Sequence, residues 1–399
     1  MRPPHPVRAA LSLAVLLASG LGLAVAPSAG AAEPASPTLA ADSRFYVDPG
    51  SKAAQQALTD LKAHDLAGAK AMAELASWPV AQWFNGTATP QQTTDAMAAL
   101  QAKAARARQV PVAVAYNVPG RDCSQYSAGG AANSAEYAQW IDALARGIGD
   151  RTTVVVLEPD GLALSPAFCG GTAAQQQDRL AEIGAAVDRL AQQRGALVYL
   201  DGGHSGWQNV GTQAQLLIDA GVDRARGFFL NVSNYMTDAS LVRYGTQVSK
   251  CVWYLEHNPG ATGDSCANQY WPEADADAWY AANVPADATL VRFVIDSSRN
   301  GQGPWTPPAG KYTDAQTWCN PPGRGLGTRP TAATGVALLD AYLWIKVPGE
   351  SDGSCTRGTA GPADPEYGSV DPVAGGWWPE QALTLARNAA PKLGFNPGR

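Results

Sequence analysis

Seven short runs rich in β-branched and aromatic residues recur along the chain: Val80–Phe84, Val110–Asn117, Thr152–Leu157, Ala196–Leu200, Gly227–Val232, Leu290–Ile295 and Ala341–Val347. Between many of them lie Ala/Leu/Gln/Arg-rich stretches with helical spacing, such as Thr93–Arg108, Ser134–Gly147, Ala173–Arg194 and Gln213–Ala220. Strands that alternate with helices pair in parallel, because each crossover returns the chain to the same end of the sheet. Val154-Val155-Val156-Leu157 has no in–out alternation, so both faces of that strand are expected to be covered. The expected fold is α/β, a closed or nearly closed parallel β/α barrel. A doubly wound sheet is the second reading, but no G-x-G-x-x-G follows an early strand. A length of 399 residues would allow several domains. After Phe45 there is neither a separating linker nor a repeat, so residues 44–399 are read as one domain.

The first 32 residues are read apart from the fold. Arg2 and Arg8 precede an apolar run, Ala9 to Ala26, and Ser28-Ala29-Gly30-Ala31-Ala32 offers small-residue cleavage sites. That is the pattern of a signal peptide (1–32), followed by a flexible Ala/Pro/Ser/Thr-rich leader (33–43). An uncleaved membrane anchor is the competing reading, disfavoured by the small-residue site directly after the run. The mature protein is thus expected to be secreted, free of membrane and monomeric. All six cysteines lie beyond the leader, and an even count in an exported chain reads as disulfides, whose pairing the sequence leaves open. No CxxC or Cys/His ligand spacing occurs, and only His64, His204 and His257 follow residue 32, so neither a metal nor another cofactor is expected. A net charge of −6 gives no basic footprint for nucleic acid.

In α/β barrels the active site forms at the C-terminal ends of the strands. The second run ends in Tyr116-Asn117-Val118-Pro119-Gly120-Arg121-Asp122-Cys123, the third in Glu158-Pro159-Asp160, and the fourth in Asp201-Gly202-Gly203-His204. The sixth ends in Asp296-Ser297-Ser298-Arg299-Asn300 and the seventh in Lys346-Val347-Pro348-Gly349-Glu350-Ser351-Asp352. Any one such acid could be a helix N-cap. Carboxylates after five strands, amid Gly/Pro turns and aromatics, favour a shared site. Glycoside hydrolysis needs such a set: one protonated acid for the leaving oxygen, and one carboxylate to direct water or attack. Aspartic proteolysis also uses two carboxylates, but Ile295-Asp296-Ser297 continues with Ser298 where glycine is required. A serine hydrolase is the competing enzyme reading. Gly203-His204-Ser205-Gly206-Trp207 nearly matches G-x-S-x-G, with Trp207 in place of the last glycine and His257 as the available base. A non-catalytic sugar-binding protein would use the aromatics but has no need of the acids.

These segments, together with Asn231-Val232-Ser233-Asn234-Tyr235 and Trp318-Cys319-Asn320-Pro321-Pro322-Gly323-Arg324, resemble glycoside hydrolase family 6, the inverting cellulases, over residues 44–395. The resemblance implies a distorted TIM-like barrel of seven strands forming a single catalytic domain. Asp160 is implied as general acid, Asp122 as the neighbour that keeps it protonated and orders water, and Asp352 as base, directly or through a water chain. The flanking Pro159, Gly161 and Leu162 fit a tight, partly apolar turn that raises the acid's pKa. Asp201 is implied to bind sugar or tune the acid, and Tyr116 to press on the distorted ring. Lys346 and Glu350 would bind hydroxyls, and Trp83, His204, Trp207, Asn234 and Trp318 would line the glucan cleft. The family's two disulfides map onto Cys123–Cys169 and Cys319–Cys355, leaving Cys251–Cys266 in a Cys251–Trp279 insertion that either walls the cleft or caps the barrel.

The implied substrate is β-1,4-glucan. Cys355 follows three positions after Asp352, so the loop there is short, and Trp377-Trp378-Pro379-Glu380 resembles the internal-cleaving bacterial members. Endo-β-1,4-glucanase is the resulting expectation, with a processive cellobiohydrolase as the alternative.

Overall fold

The computed structural model describes residues 38–398, together with Met1. The expected signal peptide and the leader up to residue 37 lie outside the described residues. Helices α1 (Lys52–Lys62) and α2 (Leu66–Ala76) precede strand β1 (Gln82–Phe84). There follow α3 (Pro90–Ala107), β2 (Val112–Ala115), α4 (Ser134–Ile148), β3 (Thr153–Leu157), α5 (Ala173–Ala191), β4 (Ala196–Asp201), α6 (Val210–Asp219) and β5 (Gly227–Leu230). The chain ends with α7 (Asp238–His257), α8 (Glu273–Asn283), β6 (Arg292–Asp296), β7 (Leu339–Leu343) and α9 (Pro379–Arg387).

The strands form one parallel sheet in chain order, β1 to β7, each paired with its sequence neighbours. Among the described residues no ladder joins β7 back to β1. The seam is bridged instead by the backbone bond Ala81 N–H to Trp344 O (2.9 Å) and by the Trp83 indole donating to Ile345 O (2.9 Å). This is a curled, distorted barrel.

Strand periodicity explains the continuous apolar runs. Val112, Val114, Val154, Val156, Tyr199, Phe229, Val294 and Leu343 pack together in one cluster, inside the curl. Their alternating neighbours Ala113, Ala115, Val155, Leu157, Leu200, Phe228 and Ile295 belong to the cluster shared with the helices. Each fully buried Val, Leu or Phe contributes about 1.5–3 kcal/mol, so a charge at Val156 would break the sheet's interior.

Helix starts follow from their caps. Thr89 and Gln92 form a capping box with Pro90 at the first turn, so α3 begins before the Thr93 expected from spacing. The side chain of Asn209 likewise caps α6, which begins at Val210, three residues ahead of the expected start at Gln213. The last strand is shorter at its C-terminal end than Ala341–Val347. There the amides of Ile345 and Lys346 leave the ladder to bond Asp296 (3.1 and 3.0 Å).

Candidate active site

At the C-terminal rim lies a cleft of ≈ 820 Å³. Its wall includes Asp122, Asp160, Asp352, Tyr116, Trp83, His204, Trp207, Asn234, Trp318, Lys346 and Glu350, drawn from loops far apart in the chain. Of the residues expected at the site, Asp201 alone stands behind the wall. Its buried carboxylate accepts from the amides of Leu162 (3.1 Å), Ala163 (2.8 Å) and Gly203 (3.0 Å), so its lone pairs are taken by backbone rather than offered to a sugar.

Two other strand-end acids share that fate. Glu158 is fully buried and accepts from Asn117 N (2.8 Å) and Val118 N (2.9 Å), pinning the loop after β2; burial lifts its pKa to about 7 against those bonds. Asp296 ties Ser233, Ser298, Ile345 and Lys346 together through their amides. These carboxylates lock neighbouring strand ends in register and hold up the cleft wall.

The local backbone is unusual. Asp122, Cys123, Glu158, Asp160, Asn231 and Ser233 all have positive φ, between 45° and 70°, in the loops after β2, β3 and β5. Such conformations cost on the order of 1–3 kcal/mol each and persist only where surrounding bonds enforce them. The Glu158 latch is one such restraint. The Cys123–Cys169 disulfide, joining the loops after β2 and β3, is another (Cα–Cα 6.1 Å). Cys319–Cys355 and Cys251–Cys266 are also paired.

The electrostatics separate the acids. Burial raises the Asp160 pKa well above the carboxylate range; the charges of Asp201, Asp122 and Asp352 add to this, and Lys346 opposes it. These surroundings all favour the protonated form of Asp160 over the ionised one, Lys346 excepted. Burial also raises Asp122, opposed by the Ser127 amide on its Oδ2 (2.5 Å) and by Arg121. Asp352 goes the other way. Burial opposes its ionisation, but Arg299 and Lys346 overcome this and hold its pKa below the usual range. Arg299 grips both carboxylate oxygens, Tyr235 donates to Oδ2 (3.2 Å), the Asn320 amide donates to Oδ2 (3.0 Å), and Lys346 Nζ lies 3.5 Å from Oδ1.

Arg299, Tyr235 and Asn320 were assigned no role from sequence. Each sits inside a motif already noted, but their convergence on Asp352 links positions 32 to 117 apart. Tyr126 was also missed. It lies on the cleft wall with its ring 5.8 Å from that of Trp318, and both are 37% exposed.

The residues of the serine-hydrolase reading are otherwise engaged. Ser205 Oγ meets Ser240 Oγ (3.0 Å), and His257 stacks on Trp253 and bonds its carbonyl on α7. His204 accepts from the Gly206 amide through Nδ1 (3.2 Å), and burial lowers its pKa to about 4, so it is a neutral wall residue.

The Cys251–Trp279 stretch gives no residue to the cleft wall among the described residues. It packs on the flank of the barrel. Gly263 lies so close to Gly211 of α6 that a Cβ on Gly211 would meet its carbonyl oxygen at 1.9 Å. Gln269 accepts from Val210 N (3.1 Å) and donates to Gln208 O (3.0 Å), bracing the turn that carries His204 and Trp207.

Comparison with known proteins agrees with this geometry. The chain is 36% identical over 350 residues to endoglucanase A of Cellulomonas fimi, covering 87% of this chain and 62% of that protein, so it spans less than two thirds of that relative. It is 36% identical over 359 residues to endoglucanase 1 of Streptomyces halstedii, covering 89% and 95%. Among solved structures it resembles the endoglucanase Cel6 from Mycobacterium tuberculosis, in complex with methyl-cellobiosyl-4-deoxy-4-thio-β-D-cellobioside. That match has a TM-score of 0.68 and 35% identity, and covers 87% of this chain and 98% of that one. The profile described as "Glycosyl hydrolases family 6" matches residues 40–389, and the chain belongs to that family.

Proposed function

We propose that the protein is a secreted endo-β-1,4-glucanase that cleaves internal bonds of β-glucan with inversion of configuration. The observation that carries this reading is the opposite perturbation of two carboxyls on one cleft wall: the surroundings of Asp160 favour its protonated form, and Arg299 and Lys346 favour the ionised form of Asp352. Environments that push two acids apart assign the acid and the anion.

Asp160 gives its proton to the glycosidic oxygen as the bond to the anomeric carbon breaks. A water attacks that carbon from the opposite face and loses a proton. Asp352, gripped by Arg299, Tyr235, Asn320 and Lys346, is a weak base with few free lone pairs. It stabilises the developing positive charge and takes the water's proton through intervening water. Asp122 raises the acid's pKa by like charge and orders that water. Asp201, tied to backbone amides, tunes Asp160 through space. Tyr116 is held edge-on to Trp83 (5.4 Å between ring centroids) and presses on the sugar at the point of cleavage. Trp207, Trp318, Asn234, His204, Lys346 and Glu350 bind the flanking sugars.

Endo action is supported by the Gly353–Arg357 segment. It folds down on residues 315–320 rather than over the cleft: Arg357 is fully buried and donates to the carbonyls of Ala315, Cys319 and Asn320. Export is supported by the apolar N-terminal run and by the three disulfides. The test is hydrolysis of carboxymethylcellulose with the anomer followed by NMR. A sharp fall in viscosity with few new reducing ends and an α-configured first product is expected. Cellobiose from the outset with viscosity unchanged, or a β-configured first product, overturns the reading.

A further inference from the structure

We propose that Tyr270 and Trp271, on the Cys251–Trp279 insertion, form an outlying platform on which a β-1,4-glucan chain stacks as it leaves the cleft beside Trp207. The proposal rests on the glucanase reading and extends it to a site outside the catalytic cleft.

The two rings are adjacent in sequence and 68% and 40% exposed, whereas most aromatics of this fold are buried or half-buried. Neither lines the cleft. Exposed planar apolar surface held next to a binding groove marks an interaction site. The CH faces of a β-linked glucose ring offer the matching flat apolar partner, and the Tyr hydroxyl and Trp N–H can meet its rim of hydroxyls.

Continuity with the cleft comes from the neighbouring residue. Gln269 donates to Gln208 O (3.0 Å) and Ser205 O (3.4 Å) and accepts from Val210 N (3.1 Å). The Ser205–Gln208 turn it grips contains Gly206 and Trp207, both on the cleft wall. The Tyr244 hydroxyl of α7 also donates to Gln208 O (2.9 Å). The segment that carries both rings is thus tied directly to the turn that carries Trp207.

The backbone that carries the rings is firmly braced. Cys251–Cys266 anchors the segment to α7, Tyr280 donates to Ala267 O (2.6 Å), and Asn268 closes the turn by accepting from Tyr270 N (3.0 Å) and Trp271 N (3.1 Å). A platform ordered before binding loses little entropy when the chain docks.

The test compares Tyr270→Ala/Trp271→Ala with wild type and with Tyr270→Phe/Trp271→Tyr. Adsorption to phosphoric-acid-swollen cellulose is measured at low temperature, and kinetics on barley β-glucan and on cellotetraose. The double alanine variant should adsorb about five- to tenfold more weakly, the equivalent of one or two stacking contacts. It should show a matching rise in KM on β-glucan with kcat unchanged, and wild-type kinetics on cellotetraose. The aromatic variant should behave as wild type. Unchanged adsorption and KM in the alanine variant would overturn the platform. An equal loss on both substrates would also overturn it, since that is the signature of a disturbed Trp207 turn. A wild-type protein inactive on every glucan refutes the glucanase reading instead, so the two failures are distinct.

Discussion

Arg299 holds Asp352 by two parallel hydrogen bonds, Nη1 to Oδ2 at 2.9 Å and Nη2 to Oδ1 at 3.0 Å, with both side chains almost completely buried. A charge pair of this kind is expensive to break from one side, because the remaining ion is left buried. Arg299→Ala should lower stability by about 3–5 kcal/mol. Loss of the guanidinium also raises the Asp352 pKa, so the acid limb of the pH–activity profile should move to higher pH. Arg299→Lys keeps the charge but not the fork, and should retain part of the stability with a smaller shift of the limb. Urea unfolding and pH–rate profiles check both.

Asp160→Asn removes the proposed proton donor. Activity on β-glucan should fall about 10²–10⁴-fold, the range typical of general acid catalysis. A dinitrophenyl cellobioside, whose leaving group departs without a proton, should lose far less. The alkaline limb of the profile should disappear. Equal losses on both substrates would contradict the acid assignment.

Asp122→Asn takes one negative charge away from Asp160. The acid's pKa should drop, so the alkaline limb should move to lower pH by roughly one unit. With the water-ordering role proposed for Asp122, kcat should fall on both natural and activated substrates, unlike the pattern for Asp160. Profiles of kcat and of kcat/KM on the two substrates separate these effects.

Asp371 lies behind the site. Its Oδ2 accepts from Asn320 Nδ2 (2.8 Å), its Oδ1 is buried without a partner, and a carboxylate oxygen of Asp364 is within 4.8 Å. Burial first, and Asp364 among the further causes, raises its pKa to about 7, opposed by the Asn320 bond and by Arg357. A raised carboxyl binds its proton more tightly in the folded state. Its contribution to stability is therefore full below the unfolded value near 4 and is lost as pH rises through about 7. Asp371→Asn mimics the protonated form. The variant should match wild type in melting temperature near pH 4 and exceed it at pH 8. A constant difference at all pH values would count against the titration.

Cys251–Cys266 closes a loop of 15 positions. Cys251→Ala/Cys266→Ala should lose about 3 kcal/mol in the chain-entropy account. Since the insertion gives no residue to the cleft wall, kcat on cellotetraose should stay near wild type at temperatures where the variant is folded. Calorimetry and short-substrate kinetics test this.

Much of the architecture was legible in the chain itself. Continuous apolar runs such as Val154–Leu157 alternate with helical stretches, and only a parallel sheet covered on both faces accommodates them. Chain order then became strand order. The placing of acids after the strands followed as well, since the C-terminal ends of parallel strands share one rim. Strand ends were less legible: Ile345 and Lys346 have strand-like composition, but their amides are captured by Asp296, 49 and 50 positions away.

What the sequence by itself determined is thus the parallel sheet, the rim, and the set of carboxylates gathered there. What only the tertiary structure decided is which of them face the cleft. By their place after a strand alone, Glu158, Asp201 and Asp296 look no different from Asp122, Asp160 and Asp352. The first three point behind the wall and spend their lone pairs on the backbone amides of neighbouring strand ends. The second three face the cleft, where Asp160 is surrounded by like charge and Asp352 by Arg299 and Lys346. A side chain's direction and the charges it meets depend on residues brought together from distant positions, and that proximity exists only once the chain has folded.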